Sequence, residues 1–202
     1  ALAPRPRLLM LDEPLGALDR ALRAELLEEL RGLLQRLKIP AIYVTHDQEE
    51  AFAIADRMAL LHAGRIEQIG PPQEVFRCPA SPWAARFLGM SNLLPGRLLD
   101  RNRVETPAGV LEIEAQGCTA FTTDQAVSLL LRPRARLAAE ADRANRLTGR
   151  VLDCAFQGET YRVNLALPAG QRLQFQLESA ARVGEEVQIW LDPRELSLLE
   201  AE

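Results

Sequence analysis

A continuous apolar run that ends in two adjacent acids constrains the fold of this chain more than any other feature. Residues 8–19 read LLMLDEPLGALD: four apolar residues, then Asp12 and Glu13, then a small-residue turn that ends in Asp19. An apolar run bounded by charge is typical of a strand that is covered on both faces in a parallel sheet. The sequence therefore predicts a buried strand that presents carboxylates at its carboxyl end.

The next segments predict a helix and a second strand. One stripe of an amphipathic helix, ended by Pro40, is formed by leucines at spacings of four, four, three and four: Leu22, Leu26, Leu30, Leu33 and Leu37. The run AIYVT at 41–45 predicts another buried strand, with His46 at its carboxyl end. Strand, helix and strand in this order indicate an α/β layer.

The layer is predicted to continue to about residue 90. Asp47 and Glu50 have the spacing of a capping box, which starts a helix that runs to about Ala55. A hairpin and two short helices are expected after it, over residues 58–69, near 73–77 and near 83–88.

From about Ser91 onward the pattern changes to alternating apolar and polar residues. Three runs of this kind, with turns at PAG and VGE between them, lie at 161–167, 173–177 and 187–191. A period of two with such turns predicts short antiparallel strands of a small barrel. The charged, alanine-rich segment 135–146 is predicted to be a linker or short helix between two halves of this region. We therefore expect two domains, residues 1–90 and 91–202.

Composition narrows the possible functions. A net charge of −4 and an aromatic content of 5% argue against a nucleic-acid groove, which usually needs a basic face and stacking rings. Lys38 is the only lysine, and no glycine loop precedes it. The phosphate-binding motif GxxxxGK[ST] is therefore absent from this sequence.

The predicted strands bring chemically useful side chains to one edge. Ligands of open α/β sheets bind outside the carboxyl ends of the strands, where Asp12, Glu13 and His46 are expected. An acid that holds Mg²⁺, an adjacent acid that orients water and a histidine that meets a terminal phosphate form half of a phosphoryl-transfer site. The alternative is a buried strand whose acids only solvate its end.

Three segments together resemble a known family. LLMLDEPLGALD, YVTHDQEEAFAIADRMALLHAGRIEQIGPPQEVF and FLGMSNLLPG closely resemble the ATP-binding subunits of ABC importers that carry a C-terminal TOBE domain. The resemblance is nearly uninterrupted from Ala1 to about Gly96 and weaker at LLLRP, LTGRV and VGEEVQIWLDPRELSLL. It implies a partial α/β layer of the P-loop NTPase type, followed by an all-β, OB-like TOBE domain.

The resemblance also implies roles for individual residues. Asp12 matches the Walker B acid that holds Mg²⁺, usually through water, and Glu13 matches the catalytic carboxylate that orients the attacking water. His46 matches the switch histidine that contacts the γ-phosphate, so all three residues are expected to face ATP. The D-loop, which in the family crosses to the partner subunit's site, is matched by Leu15, Gly16, Ala17, Leu18 and Asp19.

Several family motifs are missing from this sequence. The P-loop, the Q-loop and the LSGGQ signature precede the Walker B strand in this family, and residues 1–7 resemble the tail of the helix after that signature. The resemblance therefore implies a C-terminal portion of such a subunit. ATP and Mg²⁺ are expected as cofactors of the intact protein, and we expect this chain alone to bind neither tightly.

The implied partners are a second ATP-binding subunit in a homodimer, integral membrane permease subunits and, indirectly, a substrate-binding protein; nucleic acid is not expected. The implied location is the cytoplasmic face of the inner membrane. One alternative is a stand-alone OB-like regulatory or ligand-sensing module without ATPase activity. Another, a DNA-repair or chromosome ATPase, predicts long heptads or a basic face, and the sequence has neither. The cargo stays open among ferric iron, polyamines, sulfate, thiamine and sugars.

Overall fold

The computed structural model describes residues 6–16, 18–114, 121–138 and 144–201, without the side chain of Arg20. The chain divides into two compact units, Ala1–Arg77 and Cys78–Glu202. The second unit thus begins ahead of Ser91, and the domain ranges expected from the sequence remain a prediction. No helix within the described residues is long and apolar enough to cross a membrane.

The first unit opens with a parallel β-α-β element, as the sequence predicts. Strand β1 (Leu9–Asp12) pairs in parallel with strand β2 (Ala41–Val44), and helix α1 (Arg20–Leu37) connects them. Helix α1 begins after Asp19, whose carboxylate accepts hydrogen bonds from two backbone N–H groups, a cap that stabilises a helix by about 1 kcal/mol. It ends at Lys38, which adopts the left-handed conformation that commonly closes helices.

The side chains of β1 and β2 are more exposed to solvent than the sequence predicts. Leu9 is buried, but Met10 beside it is 70% exposed, and Ile42 and Val44 of β2 are also exposed. The prediction of a strand covered on both faces is therefore wrong for this chain. The reason is that β1 and β2 form a sheet of only two strands among the described residues, so one face has no layer over it.

The buried face of α1 also differs from the predicted stripe. Leu22 and Leu37 are exposed, whereas Leu27 is buried. Leu27 lies four residues from both Arg23 and Arg31, which contact the segment around the next helix. The three middle leucines of the predicted stripe are half-buried, so the stripe holds at the centre of the helix and not at its ends. Leu27 shares a helix face with the two arginines, because residues four apart lie on one face.

The remainder of the first unit follows the expected order. It consists of α2 (Gln48–Ile54), β3 (Met58–His62), β4 (Arg65–Gly70) and α3 (Pro72–Arg77). The hairpin of β3 and β4 turns at Ala63 and Gly64, both with positive φ, which is the geometry of a tight two-residue turn.

Among the described residues, the second unit contains one short α-helix, a 3-10 turn at Pro193–Glu195 and two five-stranded sheets. Helix α4 (Pro82–Phe87) is followed by β5 (Leu93–Asp100), β6 (Arg103–Thr106), β7 (Gly109–Glu112), β8 (Ala126–Leu131), β9 (Arg136–Leu137), β10 (Arg146–Phe156), β11 (Tyr161–Ala166), β12 (Arg172–Leu177), β13 (Glu186–Trp190) and β14 (Leu196–Glu200). The sheet orders are β12-β11-β10-β13-β9 and β14-β8-β5-β6-β7. All of these strand pairs are antiparallel, as predicted.

The two sheets are built by an internal repeat that the sequence analysis missed. Strands β5–β8 and β10–β13 have the same order in their respective sheets, and each sheet is completed by a strand from the other half. Strand β9 pairs with β13, and β14 pairs with β8. The first strands of the two halves follow one pattern, NLLPGRLLD at 92–100 and NRLTGRVLD at 145–153.

Each half is clamped to the other by an asparagine at the start of this pattern. The Asn92 side chain accepts a hydrogen bond from Gln174 N (2.8 Å) and donates one to Gln174 O (2.6 Å). Asn145 does the same with Glu112, at 2.6 and 2.7 Å. Both asparagines are only 3% exposed, so the two side chains act as buried cross-links between the sheets.

Both sheets contribute to one hydrophobic core. Its largest fully buried side chains include Leu94, Leu129, Leu131, Leu165, Phe175 and Ile189. The predicted alternation is confirmed in β12, where every second residue is buried.

The segment at 135–146 differs from the prediction of a linker or short helix. Arg136 and Leu137 form β9, because their backbones pair with Trp190 and Ile189 of β13. Residues 139–143 of that segment lie outside the described residues.

Candidate functional site

The candidate site lies where β1 and β2 end side by side. Asp12 is the last residue of β1 and is in register with Val44, the last residue of β2. Glu13 follows directly, and its N–H donates to the carbonyl of Val44 at 2.9 Å. Parallel pairing thus places Asp12, Glu13 and the His46 turn at one edge of the sheet.

Glu13 and His46 are in direct contact. The distance from Glu13 Oε1 to His46 Nδ1 is 2.9 Å, although the two residues are 33 positions apart in the sequence. The hydrogen bond to Glu13, followed by the charge of Glu13, raises the pKa of His46 above its ordinary value. Both side chains are more than half exposed, so solvent screens the ion pair and its contribution to stability is small. The contact orients the imidazole.

The turn after β1 holds Glu13 in an uncommon conformation. Glu13 has a φ of +44°, in the left-handed region that costs a residue with a side chain about 1–2 kcal/mol. Leu15 is buried below the turn, and the N–H of Gly16 donates to the carbonyl of Glu13. Such strain is typical of functional turns whose surroundings fix them.

The residues assigned to the D-loop continue this turn. The N–H of Leu18 donates to the carbonyl of Leu15, and Asp19 caps α1. Gly16 is exposed, and Ala17 lies outside the described residues. The predicted contact of this loop with a partner subunit remains a prediction.

Glu50, predicted from the sequence to be part of a capping box, is instead a buried carboxylate near the site. In a capping box the Glu50 side chain would reach back to the N–H of Asp47. Instead, that N–H donates to Thr45 Oγ1 at 3.0 Å, and Glu50 turns inward with 2% exposure. Its Oε2 accepts from Tyr43 Oη and Thr45 Oγ1, each at 2.8 Å. Burial and then the bond to Glu50 raise the pKa of Tyr43.

A signal for this arrangement is present in the sequence. Tyr43 and Thr45 are two residues apart in the predicted strand 41–45, so both hydroxyls are expected on the same face. Two hydroxyls on a half-buried face favour a buried polar partner. Glu50, in the first turn of the following helix, is within reach of that face.

The donor set at the strand end fits Mg²⁺. The Asp12 carboxylate is exposed at the edge. Within the described residues no group of three or more His, Cys, Asp or Glu side chains could enclose a metal ion. Mg²⁺ commonly keeps several waters and uses one or two carboxylates together with substrate phosphates, so a single exposed acid suits it.

Comparison with known proteins places this geometry in a class. Residues 129–199 match the family model of the TOBE domain. The chain therefore carries a TOBE domain, which follows in the sequence a β-α-β unit with a carboxylate–histidine edge. The molybdate-binding protein ModG covers 55% of the chain at a TM-score of 0.43 and 14% identity, a likeness too low to carry an argument.

Three relatives align over most or all of the chain. The Fe(3+) ions import ATP-binding protein FbpC of Streptomyces coelicolor is 40% identical over 98% of this chain and 56% of its own length. The sulfate/thiosulfate import ATP-binding protein CysA 2 of Chromobacterium violaceum is 43% identical over 82% of this chain and 44% of its length. The spermidine/putrescine import ATP-binding protein PotA of Borreliella afzelii is 34% identical over 100% of this chain and 57% of its length.

The chain is thus a homologue of the ATP-binding subunits of ABC importers, and the resemblance inferred from its sequence is confirmed. It spans about half the length of the curated relatives that it matches. The alternative of a stand-alone sensing module is not favoured by these relatives.

Proposed function

We propose that this chain supplies half of the hydrolytic site of an ATP-driven importer subunit. The observation that carries the proposal is the 2.9 Å contact between Glu13 and His46, beside Asp12 at the edge of two parallel strands. In this proposal the α/β part belongs to an ABC-type ATPase layer. The glycine loop and lysine that cradle the phosphates come from residues that this sequence does not contain.

Each side chain has a distinct task in this proposal. Asp12 would hold Mg²⁺, which when bound would supply positive charge to the terminal phosphates. Glu13 orients the attacking water and accepts its proton as a general base. His46, held at Nδ1 by Glu13, presents Nε2 to the γ-phosphate, where charge develops during transfer.

The proposed partners follow from the same class. A second ATP-binding subunit, membrane permease subunits and, indirectly, a substrate-binding protein are proposed, with the subunit at the cytoplasmic face of the membrane. The names of the relatives cover three cargo chemistries: ferric ions, sulfate or thiosulfate, and polyamines. We therefore propose import of a small solute and do not name the cargo.

The test completes the site and removes one group from it. Residues 6–202 are fused to the part of the Streptomyces coelicolor relative that precedes the aligned region, and steady-state ATPase activity is measured. Glu13→Gln is expected to lower turnover by roughly 10²–10⁴-fold, the usual contribution of a general base, while ATP binding is retained.

The matched control is Glu28→Gln, which removes an exposed carboxylate from α1 and is expected to leave turnover unchanged. Turnover of Glu13→Gln within about tenfold of the parent fusion would refute the role of Glu13, because loss of a general base costs more than that.

A further inference from the structure

Glu50 lies behind the proposed site at the centre of a buried hydrogen-bond network. Its carboxylate receives two hydroxyl donors, from Tyr43 and Thr45, at 2.8 Å each. Both donors belong to the strand and turn that lead to His46. A buried carboxylate with two short hydrogen bonds fixes the side chains that donate to it, because breaking either bond would leave it undersolvated.

Arg23 extends the network toward α1 and the turn after β1. Its Nη1 donates to Asp47 Oδ2 at 2.8 Å and its Nη2 to the carbonyl of Leu18 at 2.8 Å. Its Nε lies 3.7 Å from Glu50 Oε1, which is an ionic contact rather than a hydrogen bond. Glu50 and Arg23 therefore connect the end of the predicted D-loop to both neighbours of His46.

His46 itself has little that could fix its position. Its side chain is 75% exposed, and the contact that orients it is the hydrogen bond to Glu13. An exposed ring is not held by packing, so its place depends on the backbone that carries it. The residues on either side, Thr45 and Asp47, both belong to the network around Glu50.

We infer that Glu50 is a positioning residue, which fixes the backbone on both sides of His46 and thereby holds the imidazole against Glu13. The inference deepens the proposed function, because Glu50 acts on the reaction only through His46. The chemistry that Glu50 requires is a pair of neutral hydroxyl donors, so the network can be weakened without a change in charge near the imidazole.

The test uses the whole 202-residue chain and the NMR titration of its two histidines, His46 and His62. Glu13→Ala removes both the hydrogen bond and the charge, and it defines the full decrease in the pKa of His46. Thr45→Val removes one donor to Glu50, together with the acceptor of the Asp47 N–H, without a change in charge. We expect it to produce roughly half or more of that decrease, because the contact with Glu13 is the main cause of the raised pKa of His46.

Two further variants keep the test decisive. Tyr43→Phe is the milder change, removes the other hydroxyl and is expected to lower the pKa of His46 in the same direction; it decides the outcome if Thr45→Val does not fold by circular dichroism. Glu49→Gln, which removes the exposed carboxylate next to Glu50, is the matched control for a change in nearby charge. The inference is overturned if folded Thr45→Val and Tyr43→Phe change the pKa of His46 no more than Glu49→Gln does.

This readout requires no nucleotide. A negative result therefore refutes the positioning role without affecting the proposed function. Loss of the proposed function in the ATPase assay would likewise leave the measured coupling between Glu50 and His46 intact.

Discussion

The asparagine clamps of the β unit allow a stability prediction with an internal control. Replacing Asn145 by Ala removes two hydrogen bonds to Glu112, each worth about 1 kcal/mol net. Asn145 also has a φ of +53°, a conformation that Asn tolerates and that costs Ala roughly 1 kcal/mol more. The expected loss is therefore about 3 kcal/mol of the free energy of unfolding.

Asn92→Ala is the matched control for this prediction. It removes an equivalent pair of hydrogen bonds, to Gln174, from an equally buried asparagine. Asn92 is not among the residues with positive φ, so no conformational strain is added. Its expected cost is about 2 kcal/mol, which makes Asn145→Ala the more damaging change by about 1 kcal/mol.

The measurement is urea denaturation of the whole chain followed by tryptophan fluorescence. Trp83 and Trp190 both lie in the second unit, so the signal reports the unfolding of that unit. A free energy of unfolding for Asn145→Ala within about 1 kcal/mol of the parent would refute the clamp, since two buried hydrogen bonds alone exceed that value. Equal losses for the two variants would refute the contribution of the left-handed backbone.

Three other outcomes are expected. The pKa of His46 is raised in the folded state, so its contact with Glu13 stabilises the first unit below the ordinary histidine pKa of 6.5. This stabilisation is lost as pH rises through the raised pKa. Thermal melts of Glu13→Gln should lack this dependence on pH, and an unchanged dependence would contradict the prediction. Gly96→Ala places a Cβ 2.7 Å from Val104 Cγ1 and 3.0 Å from the carbonyl of Glu105, so it should cost roughly 1–3 kcal/mol in the same urea assay; a neutral effect would show that β6 yields. Isothermal titration of the chain with Mg-ATP should show no saturable binding at micromolar concentrations, because the sequence lacks the glycine loop that supplies most triphosphate contacts; stoichiometric binding would reveal an unrecognised nucleotide site.

The sequence predicted those features that depend on local pattern. The parallel strands, the helix between them, the hairpin turn at Ala63–Gly64 and the alternating strands all follow from periodicity and turn chemistry. The meeting of Glu13 and His46 was also predictable, because parallel strands deliver their carboxyl ends to one edge.

The features that depend on long-range packing were not predicted. Leu27 is buried beside the predicted stripe and the two end leucines of the stripe are exposed, because the neighbouring elements, not the repeat alone, decide how much of α1 is covered. Glu50 turned inward because two strand hydroxyls compete for it more strongly than the end of its own helix does. Arg136–Leu137 became a strand because its pairing partner is β13, roughly fifty residues farther along the chain, a distance that local pattern does not register.

The exchange of β9 and β14 between the two halves has a genetic consequence. Each half depends on a strand encoded in the other, as in a domain-swapped dimer whose two copies are joined in one chain. A premature stop codon before Leu196 would remove β14, which belongs to the second half. The strand that loses its partner is β8, in the first half. The two halves of the repeat therefore depend on each other, and a mutation that removes β9 or β14 opens the sheet of the other half.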